Sequence, residues 1–344
     1  MVKQGRNGIV YACIEQGKLQ GFNRSGEVVW NATGHGSFDW FTGVDATEDG
    51  VVYAVAKDGY FFSFAPDGSH NWKVKVIDPV WNCRGTEREF TAKGMPIILN
   101  PDRIAVLSIK YSGLITISFR GLFNAQGEQI EGCDLADARV GSNSIMHWPS
   151  WQVDDEQLYT LSGPGDSMPA KTFDHEGNLT WEKHLAAVSV VVGADGAGLP
   201  ARAMYDRFQN LHGINPDGDT VWEYKLPVGM HHLRQCESGY LLVYGGTELI
   251  AINSVATDSV GERMVWRYSA EDGNYHDTVT DETGVVTALR CIKREYFLDK
   301  IGADGELITS RQVGRFSMSR SVLAEDGTLY ILQTDGWMKV VRVE

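Results

Sequence analysis

The stretch "GVVYAVAKDGYFFSFAPDGSHNWKVKV", Gly50 to Val76, decides the fold. Its apolar side chains alternate or run briefly, then stop at Asp58-Gly59 and again at Asp67-Gly68. A period of 2 marks strands, because successive side chains of an extended chain point to opposite faces. Asp-Gly pairs supply the positive φ that two-residue hairpin turns need. The spacing predicts four antiparallel strands in succession: an inner strand ending near Asp45, then residues 51–57, 60–65 and 70–76.

The same module recurs along the chain. Turn-plus-strand copies read "NGIVYA" at Asn7, "DGVVYA" at Asp49, "DEQLYT" at Asp155, "SGYLLV" at Ser238, "TGVVTA" at Thr283 and "DGTLYI" at Asp326. Two weaker copies, "PDRIAVLS" at Pro101 and "ADGAGLPARAMY" at Ala194, fall between them, giving a spacing of about 40 to 54 residues. A four-stranded meander repeated at that period is the signature of a β-propeller blade. The expectation is an all-β, single-domain propeller over residues 1–344, with blades starting near 1, 35, 78, 138, 186, 227, 270 and 314. Eight blades is the count; seven is the alternative if one weak middle copy is an insertion. The first copy leaves little room for an inner strand, and the last stops at "WMKVVRVE" without a fourth. A loop is expected to project from the longest copy, which carries "KYSGLITISFRGLF".

A second recurring element is a turn followed by a Trp-ended strand: "GEVVWN" at Gly26, "GSHNWK" at Gly68, "GNLTWE" at Gly177, "GDTVWE" at Gly218 and the variant "ERMVWR" at Glu262. An outermost strand is short and edge-exposed. A Trp there can cover the third strand and wedge against the neighbouring blade, so Trp30, Trp72, Trp181, Trp222 and Trp266 are read as structural.

The repeats resemble those of pyrroloquinoline-quinone-type propellers, the superfamily of the quinoprotein dehydrogenases and the outer-membrane assembly lipoprotein. The likeness is carried by "DGVVYAVAKDGYFFSFAPDGSHNW", "GINPDGDTVWEYKL" and "AEDGTLYILQTDG", and it implies the fold. The adjacent cysteine pair of the quinone enzymes is missing, as is the lipoprotein's export signal, so neither activity is implied and no cofactor is expected.

Composition narrows the partners. The net charge of −14 repels nucleic-acid backbones, and the tightest cationic cluster, Lys293-Arg294, runs straight into Glu295. No apolar run approaches the roughly 20 residues that cross a bilayer, so no membrane insertion is expected. Five scattered cysteines without a CxxC pair argue against a disulfide framework or zinc ribbon. Without a recognisable signal peptide the reading is cytoplasmic; a signal already removed would make the protein secreted.

In a propeller the inner strands line a central channel, so residues entering each second strand are where chemistry collects. Asp39, Trp40, His147, Trp148, Trp151, His231, His232, Tyr275, His276, Asp277 and Arg320 all occupy that station. A ring packed for stability alone would use small apolar residues there, as "VSVVVGA" at Val188 does; polar and aromatic residues point instead to a binding funnel. The leading reading is recognition of a small-molecule or carbohydrate ligand, including anionic ones, or of a protein partner. Trp40, Trp148, Trp151 and Tyr275 would stack while His and Arg supply hydrogen bonds and charge. The alternative is a cofactor-free enzyme. "MHHLRQCESGYLLV" and "YHDTVTDETGVVTALR" resemble arylsulfotransferase-like propellers, which implies His276 as nucleophile or acid–base, Asp277 flanking it, and His231 or His232 with Arg320 on the anion. A lyase-like version uses Tyr275 and His276 for proton abstraction, with Arg320 neutralising a uronate. Three imidazoles from separate blades would also suit Zn or Mn, although no HExxH spacing supports a metal and none is assigned. Each residue has a structural reading too, such as a loop cap at His147 or a turn hydrogen bond at His276-Asp277. "GGTE" at Gly245 and "SGPGDS" at Ser162 precede no helix and are read as hairpin turns. His70, His175, His184 and His212 are expected at the surface.

Overall fold

A computed structural model describes residues 2–14, 18–33, 41–77, 80–83, 86–89, 93–111, 115–131, 139–141, 152–153, 157–160, 170–183, 187–194, 200–206, 210–215, 217–227, 232–236, 240–253, 263–316, 321–333 and 337–342. Among them every regular element is a strand, and the strands pair as antiparallel meanders in chain order. The first sheet is Val2–Gln4, Val10–Cys13, Leu19–Phe22 and Val28–Asn31. The second is Phe41–Ala46, Val52–Ala56, Tyr60–Phe64 and His70–Lys75, within two residues of the boundaries read from the sequence. The third runs from Lys93–Asn100 through Arg103–Tyr111 and Ile115–Phe123 to Gln129–Ile130, and Arg139–Gly141 also pairs with it. The fourth and fifth span residues 152–183 and 187–225. The sixth is His232–Gln235, Tyr240–Gly245, Glu248–Asn253 and Met264–Ser269; the seventh is Asn274–Thr280, Val286–Ile292, Glu295–Ile301 and Leu307–Gly314. The eighth has three strands, Ser321–Leu323, Leu329–Leu332 and Met338–Val341.

Two-sided burial explains why the second strands read as unbroken apolar runs. In the second sheet, Val52, Ala54 and Ala56 pack with Tyr11 and Trp30 of the first sheet, while Tyr53 and Val55 pack with Ile104 and Phe123 of the third. The sixth sheet repeats the division: Leu241 and Val243 join Trp222, and Leu242 and Tyr244 join Tyr275. The eighth and first sheets also share a core, with Tyr330 and Ala324 against Val10 and Leu332 against Ala12 and Phe22.

The repeated Trp is the bolt between consecutive sheets. Trp30 lies edge-on between Tyr11, at 5.4 Å, and Phe64 of the next sheet, at 5.9 Å, and its Nε1 donates to Ala65 O at 3.3 Å. Trp72 Nε1 donates to Ala125 O at 2.8 Å. Each docks where the next sheet makes its last hairpin turn. A Cβ placed on Gly127 would lie 2.7 Å from Trp72, one on Gly218 2.7 Å from Trp181, and one on Gly305 2.9 Å from Trp266. Below each Trp the paired third-strand residue is small or short: Gly21, Ser63, Thr172, Gly213 and Ala251, and a register shift follows every one of them. Trp222 is seated differently, with the buried Arg263 guanidinium 4.7 Å over its ring.

Two expectations are corrected. The Gly turns are not two-residue hairpins. At residues 47–51, Gly50 N donates to Thr47 O and Thr47 N donates to Val51 O, a three-residue loop in which Gly50 alone has positive φ, +90°. The two-residue connection with two left-handed residues is instead Lys293-Arg294, at φ 48° and 73°, between paired Ile292 and Glu295. In the longest copy, residues 103–111 and 115–123 pair as one long hairpin, and residues 80–83 and 86–89 pair as a separate two-stranded sheet. His212 is buried, not superficial, with Nδ1 3.2 Å from Glu223 Oε1 across the strand pair, and His70 sits against the Phe62 and Phe64 ring edges. Gly245 and Glu248 do close a two-residue hairpin turn.

The Trp seat is testable against ordinary turn strain. Gly8 and Gly218 have φ of +75° and +79°, but a Cβ on Gly8 meets nothing within 4 Å. Gly8→Ala is expected to cost about 1 kcal/mol, and Gly218→Ala about 1–3 kcal/mol more because Trp181 must move. Urea denaturation of the two variants reads the difference.

Candidate functional site

Inner strands meet where the sixth and seventh sheets adjoin, and a polar cluster forms there. Arg234 and His232 alternate along the sixth sheet's first strand and therefore share a face. That face turns to the seventh sheet: Arg234 Nη1 lies 3.4 Å from Asp277 Oδ1, and the His232 ring stacks on Tyr244, its cross-strand partner, at 5.0 Å. The Arg234–Asp277 pair is partly buried on both sides, with 34% and 27% side-chain exposure, so it keeps contact with solvent. Burial pushes the Asp277 carboxyl above its usual range, opposed by Arg234 and by the backbone N–H groups of Thr278 and Leu323. The Tyr244 hydroxyl is likewise held protonated, by burial first and then by the Asp277 charge.

A register shift between Tyr275 and Asp277 re-aims the seventh sheet's inner strand. Tyr275 turns inward and is 1% exposed. Its hydroxyl donates to Asp299 Oδ2 at 2.7 Å, and the same carboxylate receives Arg290 Nε at 2.6 Å and Ser310 Oγ at 2.5 Å. Desolvation and the Asp299 charge raise the Tyr275 pKa far beyond the ordinary range. This is a saturated internal network, and Tyr275 belongs to it, not to an open mouth. His276 points the other way, its ring 6.4 Å from that of Tyr296, which stacks on Phe316 at 4.1 Å. Burial lowers the His276 pKa, leaving the imidazole neutral at pH 7 and able to donate and accept.

Of the expected funnel residues, then, the structure brings His232 and Asp277 to one junction and sends His276 to the next. Asp39, Trp40, His147, Trp148, Trp151, His231 and Arg320 lie outside the described residues. Among the described residues no three His, Cys, Asp or Glu side chains gather closely enough to hold a metal ion. Arg234 was not singled out in the sequence, although it stands two residues beyond His232 and so had to share its face. A second inner-strand ion pair, Lys3 Nζ to Asp45 Oδ2 at 3.0 Å, bridges the first and second sheets.

No family model and no curated protein matches the chain. Solved structures do. BamB from Moraxella catarrhalis, a propeller of pyrroloquinoline-quinone-like repeats, aligns with a TM-score of 0.57 at 15% identity, covering 98% of this chain and 92% of that one. The computationally designed Ika8 protein aligns at 0.58 with 12% identity, covering 99% and 95%. The Cps50 (Swd1) β-propeller domain of Myceliophteria thermophila aligns at 0.50 with 13% identity, covering 100% and 95%. The fold is a β-propeller. Among the described residues no helix is long and apolar enough to cross a membrane.

The lowered His276 pKa carries a pH signature. A group protonated more readily in the unfolded chain adds stability above its unfolded pKa and loses it as pH falls toward the folded value. Unfolding free energy is therefore expected to drop between pH 7 and pH 5 in the wild type, and to drop less in His276→Gln. Urea titrations at the two pH values provide the check.

Proposed function

We propose that the chain closes as a ring of eight blades and recognises a polar, preferentially anionic ligand or partner group at its axial mouth. The observation that carries this is the Arg234–Asp277 pair, a half-buried but solvent-contacting cation between the inner strands of two sheets, with His232 beside it. A cation already partly desolvated and held in place binds an incoming carboxylate or sulfate with less reorganisation than one free in water. His231, Arg320, His147, Asp39 and the stacking surfaces of Trp40, Trp148 and Trp151 would complete the mouth from other blades. The shared cores of the first and eighth sheets support closure, and the eight sheets of three or more strands support the count, the ninth being the two-stranded pair of residues 80–83 and 86–89.

A second reading, a cofactor-free sulfuryl transferase or lyase, draws on one observation: His276 is half-buried, neutral and on an inner strand. In that reading His276 is the nucleophile or acid–base and Arg320 holds the anion. Tyr275, committed to Asp299, is a poor proton acceptor there.

Isothermal titration with an oligouronate and a sulfated aryl ester separates the two. Binding predicts graded affinity losses, of about tenfold (~1.4 kcal/mol) each, for Arg234→Gln, Trp148→Ala and Trp151→Ala with unchanged melting curves. Catalysis predicts turnover of a probe that His276→Ala abolishes without unfolding the protein. Wild-type protein that binds neither probe, or variants that bind as well as wild type, would overturn the axial-mouth proposal.

A further inference from the structure

At the junction of the seventh, eighth and first sheets both halves of the Trp bolt are missing. The eighth sheet has no fourth strand among the described residues, so it presents no last-hairpin turn to its predecessor. The seventh sheet carries Thr309 at the position four residues after the turn glycine, where Gly26, Gly68, Gly177 and Gly218 are each followed by Trp. Val340, on the eighth sheet's outermost strand, takes the seat over Gly26, where a Cβ would lie 2.7 Å from its Cγ2. What remains is a cleft of about 440 Å³ beside the strand Met338–Val341. Its apolar lining is Val313, Val340 and Val341; its cations are Arg24, Arg311, Lys339 and Arg342, and no carboxylate among the described residues lines it.

Those cations are held in place by backbone oxygens. Arg311 Nη1 donates to Arg342 O at 2.8 Å, Arg342 Nη2 to Arg24 O at 2.8 Å and Lys339 Nζ to Val313 O at 3.0 Å; Arg24 alone pairs with a carboxylate, Asp326, at 3.1 Å. Among the described residues no carboxylate pairs with Arg311, Lys339 or Arg342, in a chain whose net charge is −14. An open sheet edge offers main-chain hydrogen bonds to an extended segment, while alternate side chains select which segment.

We propose that this edge is a docking site for an extended acidic segment of a partner protein, added as the eighth sheet's fourth strand. Alternate side chains of an added strand face opposite ways, so its carboxylates meet Arg311 and Lys339 on the seventh-sheet side and its apolar residues lie along Val340 on the other. The site is independent of the axial mouth.

A fluorescent peptide of alternating Glu and Val, with a Lys-Val peptide as control, tests it by anisotropy and by amide exchange of the complex. The acidic peptide is expected to bind, to weaken as salt screens the cations, and to slow exchange at residues 338–341. Arg311→Glu combined with Lys339→Glu, both exposed and so expected to leave the melting curve unchanged, should lower its affinity at least about tenfold. The axial variant Arg234→Gln should bind it normally. Equal binding of the two peptides, unchanged exchange at 338–341, or protection there that rises with protein concentration alone would overturn the proposal, the last because a second copy would then be the occupant.

Discussion

One contact repeats from sheet to sheet: an indole on the outermost strand of one sheet lies on the backbone of the next sheet's last turn. Gly127, Gly218 and Gly305 admit the ring because they have no Cβ, and their left-handed φ closes the same turn. One residue thus meets two demands, and the sequence spacing of Gly and Trp reflects both. Small residues on the third strand, such as Gly21 opposite Trp30 and Gly213 opposite Trp222, leave room for the indole against its own sheet. Burying an indole of this kind contributes on the order of 3–5 kcal/mol, comparable with the net stability of many domains. The Trp is absent after two turn glycines, with Glu131 following Gly127 and Thr309 following Gly305.

Because the middle strands bury both faces, most of the hydrophobic stabilisation lies between sheets and away from the innermost strands. That frees the inner strands to carry polar side chains such as Lys3, Asp45, Arg234 and Asp277. They form ion pairs from one sheet to the next and remain partly solvated. The same strands contain the re-aimed segment at Tyr275–Asp277, where one register shift assigns three consecutive side chains to an internal network, to the eighth-sheet side and to the sixth-sheet side.

Much of this was legible in the amino-acid order, for physical reasons. Period-2 patterning between glycine turns located the strands of residues 41–75, and the Trp after each turn was recognisable as a wedge. Other features were not legible. A turn glycine looks the same whether it needs only its φ or also bears an indole, so the seats were invisible. Tyr275 sits at a funnel station by spacing, but its fate depends on Asp299, a partner 24 residues away. Arg263 over Trp222 replaces a glycine seat by a cation, a substitution that no turn motif announces.

The docking of indole on turn glycine is most directly read by nuclear magnetic resonance. Protons held over an aromatic face are shifted upfield by its ring current. The Hα signals of Gly127, Gly218 and Gly305 should therefore move upfield and show cross-relaxation to the ring protons of Trp72, Trp181 and Trp266 respectively. Glycine signals at ordinary positions with no such cross-peaks would mean that the sheets are not held together in this way.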